Sequence, residues 1–124
     1  MYIAIDFDGT CVKHKYPNIG KDIGAVPVLK KLIEYKHKLI LNTMRSGKEL
    51  DEAVNWFKEN DIELFGINNN PTQKHWTDST KVYANLYIDD VNLGCPLIYP
   101  DNEERPYVDW KTAYFKLYAL GLFK

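Results

Sequence analysis

The sequence begins with Met1-Tyr2-Ile3-Ala4-Ile5-Asp6-Phe7-Asp8-Gly9-Thr10, a short apolar run followed by two acids. Tyr2 to Ile5 are apolar without a helical period, which predicts a strand buried on both faces and therefore part of a parallel sheet. Residues two apart on an extended chain point the same way, so Asp6 and Asp8 are expected to face one crevice before Gly9 turns the chain. Two carboxylates that close repel each other unless a cation lies between them or one keeps its proton.

The size and composition are typical of one globular domain spanning residues 1–124. Apolar residues make up 45% of the chain and charged residues 27%, and the formal net charge is -1. A chain this close to neutral has no general attraction for nucleic acid or for an anionic membrane. Cys11 and Cys95 lack the paired spacing of a zinc or redox motif, so two reduced thiols in a cytoplasmic protein are expected. No apolar run approaches membrane-spanning length, and neither a signal peptide nor a membrane anchor is expected.

Hydrophobic periodicity predicts strands that alternate with helices. Apolar residues at helical spacing from about Ile23 to Ile33 precede a second buried strand, Lys38 to Thr43. A strand, a helix and a strand in this order form a right-handed crossover with parallel strands. Ser46 and Glu49 have the spacing of a capping box and predict the start of a second helix that ends near Asn60.

The second half of the chain predicts three short strands and a last helix. Strands are expected at 62–67 and 82–88, and Leu97 to Tyr99 is a candidate fifth strand. Asp101 to Pro106 is expected to be a charged loop, and the spacing of apolar residues after Asp109 predicts a closing helix. The expected fold class is α/β: a three-layer Rossmann-like domain with a mostly parallel sheet of about five strands and helices on both faces.

Chemically active side chains follow the predicted strands at their carboxyl ends, the edge at which open parallel sheets bind ligands. They are Asp6 and Asp8 after the first strand, Thr43 and Arg45 after the second, Asp89 and Asp90 after the fourth, and Lys81 just ahead of the fourth. Carboxylates can gather a Mg²⁺ ion, and a lysine and a hydroxyl can hold phosphoryl oxygens. The set therefore suits phosphoryl transfer.

These residues resemble the motifs of the haloacid dehalogenase-like superfamily of phosphatases, in its small capless type. The first motif of that family is an apolar strand ending in Asp-x-Asp-x-Thr, which is similar to Asp6, Asp8 and Thr10. The second motif is a Ser or Thr that ends the next strand, similar to Thr43.

The third and fourth motifs, a lysine and a pair of acids, are similar to Lys81 and to Asp89 with Asp90. Lys74 competes with Lys81 for the third motif, and the short distance to the acid pair favours Lys81. The resemblance, which spans residues 2–90, implies that Lys81 and Thr43 bind the phosphoryl group.

The resemblance also implies a mechanism for hydrolysing a phosphate monoester. Asp6 would be the nucleophile that forms an aspartyl-phosphate, and Asp8 would protonate the leaving oxygen and later deprotonate water. Mg²⁺ would be held by the Asp6 side chain, the Asp8 backbone carbonyl and the acid pair. Adjacent residues on a strand face opposite ways, so only one acid of the pair is expected to touch the metal directly. The resemblance favours Asp90, because the family's glycine-aspartate variant of this motif aligns the second position with the ligand, with Asp89 in support.

Neither candidate insertion, residues 11–23 or 68–80, is long enough for the folded cap that usually selects substrates in this family. The site is therefore expected to be open, with His14, Arg45 and Asn69 as a possible substrate rim. Capless members often act on large substrates or oligomerise so that a neighbour covers the site. The expected partners are a phosphorylated small molecule or a phosphoryl group on a larger carrier, with a homo-oligomer as a further possibility.

Three other functions fit part of the pattern. A response-regulator receiver domain shares the size and the chemistry, but it needs its acceptor Asp at the end of the third strand, where this chain has Asn68 to Asn70. A Mg²⁺-dependent binding protein of the same fold would keep the acids without turnover. A phosphomutase or other phosphotransferase would usually carry a cap to exclude water.

Overall fold

The computed structural model describes residues 1–102 and 104–124. Glu103, which belongs to the predicted charged loop at 101–106, lies outside the described residues. The elements in chain order are β1 (Tyr2–Ile5), α1 (Ala25–Glu34), β2 (Lys38–Leu41), α2 (Gly47–Glu59), β3 (Gly66–Ile67), a 3-10 turn (Gln73–His75), β4 (Leu86–Ile88), β5 (Leu97–Ile98), β6 (Tyr107–Val108) and α3 (Trp110–Ala119).

The main sheet has four parallel strands in the order β3-β2-β1-β4, which confirms the α/β class. Strand β1 lies between β2 and β4, with Ile5 opposite Leu41 of β2 on one side and Ile88 of β4 on the other. This register brings the residues that follow β1, β2 and β4 to one edge of the sheet. The resulting architecture is compatible with a Rossmann-like fold.

The predicted fifth strand does not join this sheet. Leu97 and Ile98 form β5, but they pair antiparallel with Val108 and Tyr107 of β6 as a separate two-stranded sheet. The main sheet therefore contains four strands, and β4 is its edge in the described part of the chain.

The strands predicted at 62–67 and 82–88 are shorter than expected. Before β4, the Gln73 side chain makes the hydrogen bonds that a neighbouring strand would otherwise make. It accepts one from the Tyr83 N–H and donates one to the Lys81 carbonyl. Asn85 similarly accepts the Tyr2 N–H through its side chain. Amide side chains therefore satisfy backbone groups in the segment before β4. Before β3, the Phe65 N–H donates to the Leu39 carbonyl, and the regular ladder begins at Gly66.

The helix boundaries agree with the prediction within a few residues. Ser46 precedes α2 as expected, but its side chain makes no capping hydrogen bond. Asp109 caps α3 by accepting a hydrogen bond from the Thr112 N–H. None of the described helices is long and apolar enough to span a membrane.

The core encloses the two central strands. Ile3, Ala4 and Ile5 are each at most 1% exposed, so both faces of β1 are covered. Phe7, which lies between Asp6 and Asp8 in the sequence, packs its ring against Trp56 of α2, with ring centres 5.6 Å apart. Burial of an aliphatic strand residue contributes about 2 kcal/mol, and this packing holds β1 rigidly beneath the acids that follow it.

The C-terminal segment also holds the loop after β1. Val108 donates its N–H to the Gly9 carbonyl at 3.0 Å, and Trp110 Nε1 donates to the Thr10 carbonyl at 2.7 Å. Both Val108 and Trp110 are buried. The turn that carries the first motif is therefore held in place by two buried residues from positions about 100 residues later in the sequence.

Candidate functional site

Three carboxylates converge at the carboxyl edge of the sheet. Asp6 follows β1, Asp89 and Asp90 follow β4, and one oxygen of each lies within 4.8 Å of the other two. We call these three side chains the acid cluster. Carboxylate oxygens are preferred ligands of Mg²⁺, so this cluster is a candidate metal centre.

The acid cluster opens into a cleft of about 430 Å³, named here the acid cleft. The acid cleft is lined by Asp6, Asp8, His14, Tyr16, Thr43, Met44, Arg45, Asp89, Asp90, Val91 and Arg105. The topology thus brings together seven of the nine side chains that the sequence assigned to the site, and the remaining two, Asn69 and Lys81, lie outside this cleft.

Thr10 ties the two halves of the acid cluster together. Its hydroxyl donates to Asp6 Oδ2 at 2.9 Å and accepts the Asp90 N–H at 3.0 Å, and it also lies 3.3 Å from Asp90 Oδ1. Thr10 is fully buried, so water does not compete for these hydrogen bonds. The threonine of the first motif therefore fixes the spacing between β1 and β4 at the site.

Crowding changes the acidity of the acid cluster. Burial, together with the charges of Asp89 and Asp90, raises the pKa of Asp6 from 3.8 to about 8, against the opposing hydrogen bond from Thr10. Burial also raises the pKa of Asp89. Both shifts follow from burying carboxylates close to one another, and a bound cation would oppose both shifts by favouring the charged forms.

Asp8 lies in the same cleft but outside the acid cluster. Its two carboxylate oxygens accept hydrogen bonds from Arg45, Oδ2 from Nε and Oδ1 from Nη2, both at 2.8 Å. A paired, two-point contact of this kind is strong and directional. The predicted contribution of the Asp8 backbone carbonyl to a metal stays a prediction.

Arg45, which the sequence suggested for the substrate rim, lies buried in the wall of the acid cleft, and a contact with substrate stays a prediction. It is 3% exposed, and the N–H groups that do not bind Asp8 donate to the carbonyls of Pro17, Asn18 and Glu49. All five guanidinium N–H groups are therefore used. Arg45 lines the cleft while fastening the loop after β1 to the start of α2.

His14 also sits deeper than a rim position. Its Nε2 lies 2.8 Å from Asp90 Oδ2, and its side chain is 15% exposed. Gly9 permits this approach, because a Cβ at position 9 would collide with the His14 ring and with Asp90 Oδ2. The φ of Gly9 is +81°, a left-handed conformation that glycine adopts without strain.

Thr43 lines the acid cleft next to Asn68, and its role in binding a phosphoryl group stays a prediction. Its N–H donates to Asn68 Oδ1 at 2.8 Å, and its hydroxyl accepts the Arg45 N–H at 3.1 Å. Asn69 is exposed and does not line the acid cleft. Asn68 is therefore the asparagine that supports the site.

Lys81 lies beside the acid cleft. It lines a neighbouring space of about 440 Å³ that has only Asp89 in common with the acid cleft, and its Nζ lies 5.6 Å from the centre of the Tyr87 ring. Lys74, the competing lysine, is exposed in the 3-10 turn. The geometry favours Lys81 over Lys74 by proximity to Asp89.

Comparison with known proteins gives a relative but no activity. No family model matches the chain, and no curated protein matches it. Among solved structures, a conserved protein from Bacteroides thetaiotaomicron is 40% identical in sequence, with a TM-score of 0.79 over 97% of this chain and 91% of that chain. Identity at this level over nearly the full length of both proteins reflects common descent, and the chain belongs to the same family as this conserved Bacteroides thetaiotaomicron protein.

Proposed function

We propose that the protein is a Mg²⁺-dependent phosphatase that hydrolyses a phosphate monoester through an aspartyl-phosphate on Asp6. The observation that carries this proposal is the convergence of Asp6, Asp89 and Asp90 within 4.8 Å, with Asp8 in the same cleft. The motif resemblance to the haloacid dehalogenase-like superfamily supports the assignment of roles. The proposed ligands are the three acids of the cluster, with the Asp8 carbonyl as a fourth protein oxygen.

The acid cluster fits Mg²⁺ by its chemistry. Its donors are hard carboxylate oxygens, and one oxygen of each of the three acids lies within 4.8 Å of the other two, so a cation between them would offset their mutual repulsion. When bound, Mg²⁺ would supply the positive charge that lets a carboxylate approach a phosphoryl group, and it would stabilise charge on the phosphoryl oxygens.

The first proposed step forms the covalent intermediate. An Asp6 oxygen attacks phosphorus, the bond from phosphorus to the ester oxygen breaks, and Asp8 gives its proton to that leaving oxygen. Each Asp8 oxygen bound by Arg45 keeps a second lone pair that can carry this proton. The products of the step are an alcohol and the aspartyl-phosphate.

The second proposed step restores the protein. A water oxygen attacks phosphorus while Asp8 takes a proton from that water, and the bond from phosphorus to the Asp6 oxygen breaks. Inorganic phosphate leaves, and both acids return to their starting state. Thr43 would donate its hydroxyl to a phosphoryl oxygen, and Lys81 would turn its exposed side chain from Tyr87 toward the same group.

Several broader properties are part of this proposal. Three layers with helices on both sheet faces are supported by the complete burial of Ile3, Ala4 and Ile5 on alternating faces of β1. A cytoplasmic location is supported by two free thiols, Cys11 and Cys95. The open cleft would accept a small phosphorylated molecule, a phosphoryl group on a larger carrier, or the cover of a second copy of the chain.

The test measures phosphate release from a panel of phosphate esters with Mg²⁺, with chelator, and with two site variants. We expect turnover that chelator abolishes, that Asp6→Asn abolishes, and that Asp8→Asn slows by a factor on the order of a hundred or more. Asp51→Asn, an exposed acid on α2, is the matched control and should behave like the parent protein. Turnover that persists in Asp6→Asn would remove the assigned nucleophile.

The alternatives give different results in the same assay. A receiver-like domain would accept phosphate from a small phosphodonor and hold it without catalytic turnover of esters. A Mg²⁺-dependent binding protein would bind the ion and release no phosphate. A phosphotransferase would yield a phosphorylated acceptor in place of inorganic phosphate.

A further inference from the structure

A cavity with a basic wall adjoins the acid cleft. Its volume is about 520 Å³, and it is lined by Lys13, His14, Lys15, Asn102, Glu104 and Arg105. We name it the basic cavity. His14 and Arg105 line the acid cleft as well, so the two spaces share a wall. Each has a volume typical of a small-molecule site.

The two spaces differ in charge. Among the described residues, the acid cleft is lined by four aspartates and two arginines, whereas the basic cavity is lined by two lysines and one arginine against one glutamate. Lys13 Nζ lies 3.3 Å from Glu104 Oε2 and 5.4 Å from the centre of the Tyr107 ring, which fixes that part of the wall. Among residues 1–102 and 104–124, Lys15 and Arg105 form no salt bridge, and both side chains are exposed.

We infer that the basic cavity is a subsite for a second anionic group, a phosphate or a carboxylate, carried by the leaving group of the substrate. This inference rests on the proposed phosphatase activity, because it assigns the other end of the substrate to the acid cluster. Lys15 and Arg105 would pair with the second anion, and charge-assisted hydrogen bonds of this kind are about twice as strong as neutral ones. The substrate class is then a small molecule with two anionic groups.

The charge distribution favours a small molecule over a nucleic acid end. A strand of nucleic acid would place a series of phosphates along the surface, and the formal net charge of -1 offers no extended basic track. Lys15 and Arg105, which form no salt bridge with any residue that the structure describes, match one further anion. A monoester of a neutral alcohol would leave both cations without a partner.

The first experiment compares matched pairs of esters in Mg²⁺ by phosphate release. Fructose 1,6-bisphosphate is set against fructose 6-phosphate and fructose 1-phosphate, and 3-phosphoglycerate is set against glycerol 3-phosphate. In at least one pair, we expect kcat/KM to be about tenfold higher for the ester with two anionic groups than for its partner with one. This preference should fall as the NaCl concentration rises. The first comparison reports a phosphate as the second anion, and the second comparison reports a carboxylate.

Charge variants then locate the effect. Lys15→Gln and Arg105→Gln should each lower the ratio of kcat/KM between esters with two anionic groups and esters with one by about threefold or more. Lys58→Gln, an exposed lysine in the last turn of α2, is the matched control and should leave the ratio unchanged. A ratio that Lys15→Gln and Arg105→Gln both leave unchanged would overturn the subsite.

Calorimetric binding separates failure of the subsite from failure of the proposed function. The Asp8→Asn variant, in Mg²⁺, is titrated with fructose 1,6-bisphosphate, fructose 6-phosphate and a 5′-phosphorylated oligothymidylate. Tighter binding of the bisphosphate supports the subsite even if no ester is turned over, which would reject the phosphatase alone. Equal binding of the two sugar phosphates, or tightest binding of the oligonucleotide, would overturn the inference.

Discussion

Arg45 holds both carboxylate oxygens of Asp8 at 2.8 Å, although the two residues are 37 positions apart in the sequence. Neither partner is well exposed: the Arg45 side chain is 1% accessible and that of Asp8 is 16% accessible. The guanidinium also lies 5.0 Å from the centre of the Phe7 ring. The contact therefore joins the turn after β1 to the segment after β2 in a partly dry environment, where a pair is costly to break.

Loss of this contact should destabilise the protein. We expect Arg45→Met to lower the free energy of unfolding by about 3 kcal/mol, because the Asp8 carboxyl group loses two hydrogen-bond donors and three backbone carbonyls lose one each. Urea denaturation followed by circular dichroism measures the change. Lys48→Met, an exposed position at the start of α2, should cost less than about 1 kcal/mol, and an equal loss in both variants would contradict the role of Arg45.

The raised pKa of Asp6 predicts how stability depends on pH in the absence of metal. Between about pH 4 and pH 8, Asp6 keeps its proton in the folded protein and has lost it in the unfolded chain. The folded state binds more protons in this window, so its stability falls as pH rises. At about 1.4 kcal/mol for each pH unit, chelator-treated protein should lose on the order of 5 kcal/mol across the window relative to Asp6→Asn, measured by denaturation at each pH.

The Asp6→Asn variant is its own comparison in that experiment, because all other titrating groups are shared. Asparagine keeps an oxygen that can accept the Thr10 hydroxyl, so the cluster loses charge without losing this hydrogen bond. A parent protein whose stability follows the same pH curve as Asp6→Asn would show that Asp6 titrates normally.

Mg²⁺ should stabilise the folded protein through the acid cluster. A ligand present at ten times its dissociation constant adds about 1.4 kcal/mol, which corresponds to a rise in Tm of about 5 °C for a chain of this size. Thermal denaturation should show this rise with MgCl₂ in the parent and in Asp51→Asn, but not in Asp90→Asn. A similar rise with NaCl at matched ionic strength would point to general screening of charge.

Gly9 and Gly94 provide a matched pair for testing the packing at the site. Both have positive φ, +81° and +87°, but only at position 9 would a Cβ meet other atoms, those of His14 and Asp90. Gly94→Ala should cost about 1 kcal/mol from backbone conformation alone. Gly9→Ala should cost about 2 kcal/mol more and weaken the stabilisation by Mg²⁺, as measured by denaturation with and without the ion. Equal costs would show that the site can move to accept the methyl group.

The acid cluster could be predicted because it depends on local rules. An apolar run that ends in Asp6 places that acid at the end of a strand, and a second run does the same for Asp89 and Asp90. Parallel strands then bring these ends to one edge of the sheet. Chain topology therefore explains why Asp6 meets the acid pair, whereas the approach of both Asp89 and Asp90 to Asp6 departs from the side-chain alternation expected of a strand.

The contacts of Arg45, His14 and Lys81 could not be predicted in the same way. Arg45 binds carbonyls of Pro17 and Asn18, whose position depends on the path of an irregular loop. His14 reaches Asp90 because Gly9 has no side chain to block the approach. A steric relationship of this kind leaves no pattern in the spacing of apolar and polar residues. Lys81 was expected directly before a strand that starts at Val82. In the structure the Gln73 side chain donates a hydrogen bond to the Lys81 carbonyl, and β4 begins only at Leu86.

The fifth strand was misplaced for a related reason. Leu97 and Ile98 have the composition of a strand, and composition does not specify the partner. The structure pairs them with Tyr107 and Val108, which are ten positions away and carry the hydrogen bond from Val108 to Gly9. Partner choice in short strands is decided by tertiary contacts.

The hydrogen bonds from Val108 to Gly9 and from Trp110 to Thr10 have a consequence for folding. Trp110 and Thr10 are 100 positions apart, so the turn beside Asp6 is completed only when distant segments of the chain meet. Contacts of such long range form slowly, because a large loop must close before they can be made. We therefore expect the acids to acquire their final spacing late in folding, when residues 107–110 dock beside residues 9–10.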